Sequence, residues 1–260
     1  MTVFPSARLR TTLVGRLRAA GCVFAEDEAA LLLSTAGSPA ELAAMVDRRA
    51  AGLPLELVLG WAEFCGLRIA VEPGVFVPRR RTEFLAEQAV ALGRPGAVVL
   101  DLCCGAGALG AAVATALGRV ELHAADLQSA ACGCARRNLG PLGGEVHQGD
   151  LYEALPAHLR GRIDLLVANA PYVPTDRIRL LPPEAREHEP VLTLDGGADG
   201  LAVQRRVIAG ARDWLAPGGH LLIETGAHQA ADTAAAFTAH GLTPRIVNCP
   251  DREATVVIGS

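Results

Sequence analysis

Asn169-Ala170-Pro171-Tyr172 stands at the end of an apolar run, Ile163-Asp164-Leu165-Leu166-Val167-Ala168. A strand that stops in Asn-x-Pro-Tyr can hold a planar NH2 group. The Asn169 carboxamide oxygen and the Ala170 carbonyl are two acceptors, Pro171 fixes φ so that both point the same way, and Tyr172 covers the face of the target. About sixty residues upstream, Val98-Val99-Leu100-Asp101-Leu102-Cys103-Cys104-Gly105-Ala106-Gly107 reads as a strand entering a Gly-rich turn. Glycine there lets backbone approach a ligand at the carboxyl ends of parallel strands. Gly110 matches the third glycine of a dinucleotide fingerprint only loosely, so the turn alone is a weak signal.

Two acids strengthen it. Asp126 closes the next strand nineteen residues after Gly107, where a carboxylate can accept two ribose hydroxyls. Asp150, in Gln148-Gly149-Asp150-Leu151, follows the third strand and can accept from an exocyclic adenine amine. Each acid alone also reads as a helix cap or a solvated loop residue. Together with Asp101 they fit an adenosine ligand. NAD chemistry has no use for paired acceptors aimed at an NH2 group, whereas methyl transfer from S-adenosylmethionine to nitrogen does. The expected cofactor is therefore S-adenosylmethionine, with S-adenosylhomocysteine as product. Asp101, Gly105, Gly107, Asp126, Asp150 and Asn169 are expected to bind it, and Asn169, Ala170, Pro171 and Tyr172 to orient the acceptor nitrogen.

The elements that must position these residues follow from periodicity. From residue 82 onward, strands at Val98 to Leu102, Val120 to Ala125, Glu145 to Gln148, Ile163 to Ala168 and Leu221 to Thr225 alternate with helical stretches near 83–92, 107–117, 129–138, 201–215 and 228–239. That alternation predicts a parallel sheet covered on both faces. Arg245 to Asn248 and Ala254 to Ile258, joined by a five-residue loop, predict a terminal hairpin and one antiparallel strand. Upstream, Leu9, Leu13 and Leu17, then Ala29 to Leu33, then a helix opened by Ser38-Pro39 predict a small helical domain over 1–62. Phe64 to Val77 alternates and is broken by Glu72-Pro73-Gly74, which predicts a hairpin linker over 63–81 ahead of the catalytic domain, 82–260.

The 260 residues are 50% hydrophobic but only 4% aromatic, so the core must be built from Ala, Val and Leu. No apolar stretch reaches the length of a membrane span, and Met1 to Gly21 carries four arginines and no continuous apolar region, so a cytoplasmic protein is expected. Seven cysteines with one close pair, Cys132-Gly133-Cys134, and no second pair predict free thiols and no metal site. All 24 basic residues are Arg, and the net charge of −4 argues against a protein that lives on nucleic acid.

The chain resembles the HemK/PrmC family of protein-glutamine N5-methyltransferases over nearly its whole length. Pro54-Leu55-Glu56-Leu57-Val58-Leu59-Gly60, Glu63-Phe64-Cys65-Gly66-Leu67, Phe76-Val77-Pro78-Arg79 and Thr82-Glu83 look like that family's linker and domain entry. Glu189-Pro190-Val191-Leu192-Thr193-Leu194, Gly196-Gly197-Ala198-Asp199-Gly200-Leu201 and Glu224-Thr225-Gly226-Ala227-His228-Gln229 look like its later signatures. The resemblance implies an N-terminal helical substrate-recognition domain and a seven-stranded, mostly parallel, Rossmann-like class I S-adenosylmethionine-dependent domain. It also implies a protein substrate, of which the glutamine in the Gly-Gly-Gln loop of class-1 peptide release factors is the best known. Two departures stand out: Ala170 replaces the first proline of the usual Asn-Pro-Pro-Tyr, and Arg80-Arg81 stand where Pro-Glu is usual. They suggest a divergent paralogue, and Arg79, Arg80 and Arg81 together read either as a charged cleft mouth or as a solvated run.

An amide nitrogen is a poor nucleophile, so fixing both N–H bonds on Asn169 and Ala170 would aim it and push its lone pair toward sp3 character. His188 is the nearest candidate base and is read as a loop residue. Two other readings stay open: an adenine-N6 methyltransferase acting on a flipped base, disfavoured by charge, and a catalytically silent S-adenosylmethionine-binding interaction protein, disfavoured by the intact Asn169, Pro171 and Tyr172.

Overall fold

The computed structural model describes residues 7–260. Residues 1–6 of the expected helical domain lie outside the described residues. The chain opens with helices α1 (Ala7–Ala19), α2 (Ala25–Thr35), α3 (Pro39–Ala50) and α4 (Leu55–Leu59). Leu13 and Leu17 of α1 are buried, with Leu32, Met45, Val46 and Val58, in a core of their own. Pro39 takes the first turn of α3, where its missing N–H costs nothing, and Ser38 Oγ accepts from Glu41 N–H at 3.1 Å.

Strands β1 (Trp61–Phe64) and β2 (Leu67–Ala70) pair antiparallel around Cys65 and Gly66, both at positive φ. The hairpin therefore closes at Cys65-Gly66, and Glu72-Pro73-Gly74 forms a separate turn in which Val75 N–H reaches Glu72 at 3.1 Å. A two-residue loop needs φ > 0 at both positions, and Cys-Gly signals this less clearly than Asn-Gly.

Then α5 (Glu83–Leu92), β3 (Val98–Leu102), α6 (Ala108–Leu117), β4 (Glu121–Asp126), α7 (Ser129–Leu139), β5 (Glu145–Gln148), β6 (Ile163–Ala168), α8 (Pro183–His188), α9 (Ala202–Trp214), β7 (Leu215–Thr225), α10 (Ala230–Ala239), β8 (Pro244–Cys249) and β9 (Ala254–Gly259) build a layered domain. The seven-stranded sheet has the order β5-β4-β3-β6-β7-β9-β8, parallel except for β9, which runs antiparallel to both neighbours. Every residue of β3 is buried, as expected of a strand covered on both faces. On α9, Gln204, Val207, Ile208, Ala211 and Trp214 face inward, the spacing of one helical stripe. Strand β7 begins six residues earlier than expected, at Leu215, and its pairing with β6 is irregular between Ile163 and Leu165. Pro217-Gly218-Gly219 reads as a turn in sequence, yet a Cβ on Gly219 would meet the Ile163 carbonyl at 2.5 Å, so glycine is what lets this backbone pass. Strand order reverses between β3 and β6, each entering the sheet on opposite sides of the same point, and ligands in open α/β sheets bind outside the carboxyl ends there.

Candidate active site

A cavity of about 210 Å³ opens at that point. One wall is the β3–α6 turn and the end of β4. Gly105, at φ +53, lines it, and its N–H donates to Asp126 Oδ2 at 2.9 Å, while Gln128 N–H donates to Asp126 Oδ1 at 2.9 Å. A carboxylate has about four lone-pair sites, so two backbone bonds leave Asp126 able to accept hydroxyls as well. Burial pushes the Asp126 pKa up against the pull of the Gln128, Gly105 and Leu127 N–H groups. Asp150 reaches the cavity too, but Arg206 holds its Oδ2 at 2.8 Å. Leu127, Ala131 and Leu151 supply apolar surface beside these acids. An apolar slot with a carboxylate at its edge fits an adenosine.

Asp101 and Gly107 do not line the cavity. Asp101 is 1% exposed behind the turn, where Gly110 N–H donates to its Oδ2 at 2.8 Å and its Oδ1 has no partner among the described residues. Burial pushes its pKa up to about 8, with the Asp126 charge adding and the Gly110 N–H opposing. Gly107 caps α6 at φ +78 against Leu139. Both shape the turn from behind.

The opposite wall is the corner after β6. Asn169, Ala170, Pro171 and Tyr172 all line the cavity. Asn169 Nδ2 donates to Thr82 Oγ1 at 3.2 Å, which leaves its Oδ1 as the atom available to an acceptor. Among the described residues, no hydrogen bond reaches the Ala170 carbonyl. Tyr172 O–H donates to Glu224 Oε1 at 3.0 Å, and Arg81 Nε donates to the same oxygen at 3.2 Å. Burial and then the Glu224 charge push the Tyr172 phenol up, so it stays neutral and remains a donor. Gln229 Nε2 bonds both the Tyr172 and Asp199 carbonyls at 3.0 Å, fastening the corner to the segment before α9.

Thr82, Glu224 and Gln229 had no assigned role in the sequence; all three fall within segments that carry the resemblance, and only their partners give them one. The arginine run also divides. Arg79 pairs with buried Glu189 and lies over the Phe76 ring at 5.2 Å, Arg81 pairs with buried Glu224, and of the three only Arg80 has no ion-pair partner among the described residues. Arg79 and Arg81 thus line the cavity as members of ion pairs, and Arg80 lies outside the cavity lining. His188 ends α8, half-buried and outside the cavity lining.

Fold and cavity define a class I S-adenosylmethionine-dependent methyltransferase. The methyltransferase small domain family matches residues 66–180. The chain is 39% identical over 209 residues to a release factor glutamine methyltransferase of Geobacter sulfurreducens, covering 78% of this chain and 72% of that one. It is 40% identical over 224 residues to the enzyme of the same name from Mycolicibacterium smegmatis, covering 83% and 78%. A 4-amino-L-phenylalanine/4-methylamino-L-phenylalanine methyltransferase of Streptomyces pristinaespiralis is 38% identical over 203 residues, covering 75% and 69%. Among solved structures, a methyltransferase from Pyrococcus furiosus shares the fold with a TM-score of 0.57 at 17% identity, covering 75% of this chain and 88% of that one. A Thermus thermophilus 16S rRNA N2 G1207 methyltransferase in complex with AdoMet and guanosine does so at 0.55 and 20%, covering 77% and 49%. The chain belongs to the family of release factor glutamine methyltransferases, and with it is an S-adenosylmethionine-dependent protein-glutamine methyltransferase. Among the described residues, no helix is long and apolar enough to cross a membrane.

Proposed function

We propose that this chain methylates the side-chain nitrogen of the Gly-Gly-Gln glutamine of a class-1 peptide release factor, in the cytoplasm and without stable nucleic-acid binding. The names of its relatives support the substrate, and the hydrogen bond from Asn169 to Thr82 supports the mechanism, because it commits the Asn169 NH2 and leaves the carbonyl oxygen for the target. When bound, S-adenosylmethionine supplies an electrophilic methyl group. Gly105, Asp126, Asp150 and the apolar residues beside them would hold its nucleoside. Asn169 Oδ1 and the Ala170 carbonyl accept the two N–H bonds of the glutamine amide, and Tyr172 covers its face. Orientation does the larger part of the work, since the methylated nitrogen becomes acidic and releases a proton without a strong base in the corner.

In this reading residues 1–62 recognise the substrate, 63–81 link, and 82–260 carry the chemistry. The test is incubation with methyl-labelled cofactor and either a release factor domain or free 4-amino-L-phenylalanine, the amine named for the Streptomyces relative, followed by mapping of the label. Label on the Gly-Gly-Gln glutamine, lost in Asn169→Ala, is the expected result. Label on the small amine alone would move the substrate to an arylamine, and no transfer to either would overturn the proposal.

A further inference from the structure

At the sheet edge away from the corner, three side chains with metal-ligating atoms meet. His123 lies on β4; Glu145 and His147 lie on the edge strand β5, which pairs with β4 in the register His123↔Glu145 and Ala125↔His147. That register puts all three side chains on one face of the sheet. His123 Nδ1 stands 3.1 Å from His147 Nε2 and 3.9 Å from Glu145 Oε2, and the three ligand atoms lie within 4.8 Å of one another.

We propose that His123, Glu145 and His147 form a binding site for a first-row divalent transition-metal ion. Two ligands at the Zn–N distance of about 2.05 Å and tetrahedral angle sit about 3.3 Å apart, close to the spacing of the two ring nitrogens. Imidazole nitrogen with one carboxylate suits Zn2+, Ni2+ or Cu2+ and does not suit Mg2+ or Ca2+. The supporting groups are also in place. His123 Nε2 lies 3.3 Å from Glu121 Oε1, and Arg162 holds the other oxygen of Glu121 at 3.0 Å. A carboxylate accepting from Nε2–H fixes the tautomer in which the His123 Nδ1 lone pair is free for a metal, the pattern that orients metal-bound histidines. His123 is 3% exposed, whereas on the edge strand Glu145 is exposed and His147 half-buried. His158, itself exposed, packs edge-on to His123 at 6.4 Å. Cysteine spacing cannot reveal such a site, because His123 and His147 are 24 residues apart and meet only through strand pairing.

An ion here would clamp the edge strand to β4 and raise the melting temperature with metal concentration. The test is titration of the chelator-treated full chain with Co2+ and with Zn2+, read by absorption and calorimetry. Expected are a Co2+ d–d spectrum without a thiolate charge-transfer band, a fall in affinity of about tenfold in Glu121→Gln, and a larger fall in His147→Gln and in the exposed Glu145→Gln. Binding of wild-type strength in both His147→Gln and Glu145→Gln, or a thiolate charge-transfer band, would overturn the site. Circular dichroism of the metal-free variants separates lost binding from lost folding.

Discussion

The wall holding Gly105 and Asp126 and the wall holding Asn169 and Tyr172 face the same cavity, but the chain assembles them differently. Gly105 and Asp126 are 21 residues apart, and Asp126 and Gln128 two. Asn169 depends on Thr82, 87 residues away, Tyr172 on Glu224, 52 away, and Arg81 on Glu224, 143 away. Gly105 and Asp126 belong to one βαβ unit and are held by backbone N–H groups, with only Asp150 reaching outside it, to Arg206 on α9. The acceptor wall is a property of the whole domain, built of side-chain pairs that exist only once the sheet has formed. A substitution on the first wall should therefore act locally on the cofactor, and one on the second should reach turnover and stability together.

The largest expected effect comes from Asn169→Ala. Removing one preorganised partner of the reacting group costs about 100- to 1000-fold in turnover. Cofactor affinity by calorimetry should stay within about twofold, and a mutant that loses cofactor instead would place Asn169 on the donor wall. Asp126→Ala should weaken S-adenosylmethionine binding by about 2–3 kcal/mol, since charge-assisted bonds to two hydroxyls are lost. Equal affinity in mutant and wild type would break the donor-wall assignment.

Glu224→Ala distinguishes the walls most directly. Breaking a fully buried pair costs about 3–5 kcal/mol, but Arg81 is 45% exposed and can turn to water, so about 2 kcal/mol is expected in urea unfolding, together with slower turnover. Unchanged turnover would show that the Tyr172 anchor is structural only. Thr82→Val keeps shape and removes one hydrogen bond, at about 1 kcal/mol. Its effect should appear in kcat with little change in cofactor binding.

The remaining test is a pH slope. Asp101 titrates near 3.9 when unfolded and is pushed up to about 8 when folded. A raised carboxyl favours the folded state fully below the unfolded value, and that contribution is lost as pH rises through the folded one. Wild type should therefore lose stability between about pH 4 and pH 8 relative to Asp101→Asn, and parallel curves for the two proteins would contradict it.

The same contrast explains what could be read from the chain. Strands β3 and β6 declare themselves as short apolar runs, and β4 and β5 by the Asp126 and Gly149-Asp150 at their ends, and the glycine turn with Asp126 places the donor wall within one unit. The Asn169 corner is legible as a motif, since its chemistry sits in adjacent residues. Its supports are not, because nothing local in Thr82 or Glu224 encodes a partner beyond fifty residues away. Arg81 misleads for the same reason: three consecutive arginines look like free charge until Glu189 and Glu224 arrive from other strands and loops. The early start of β7 is hidden because Pro217-Gly218-Gly219 carries turn chemistry inside a strand.

Cys103 and Leu151 both line the cavity with backbone at positive φ, +60° and +49°. L residues seldom hold that conformation, at a cost of about 1–3 kcal/mol each, and here the folding of the sheet imposes it. The floor of the proposed nucleoside site is then strained backbone held in shape by the rest of the domain, so a substitution that relaxes Cys103 or Leu151 should show first as weaker cofactor binding rather than as lost folding.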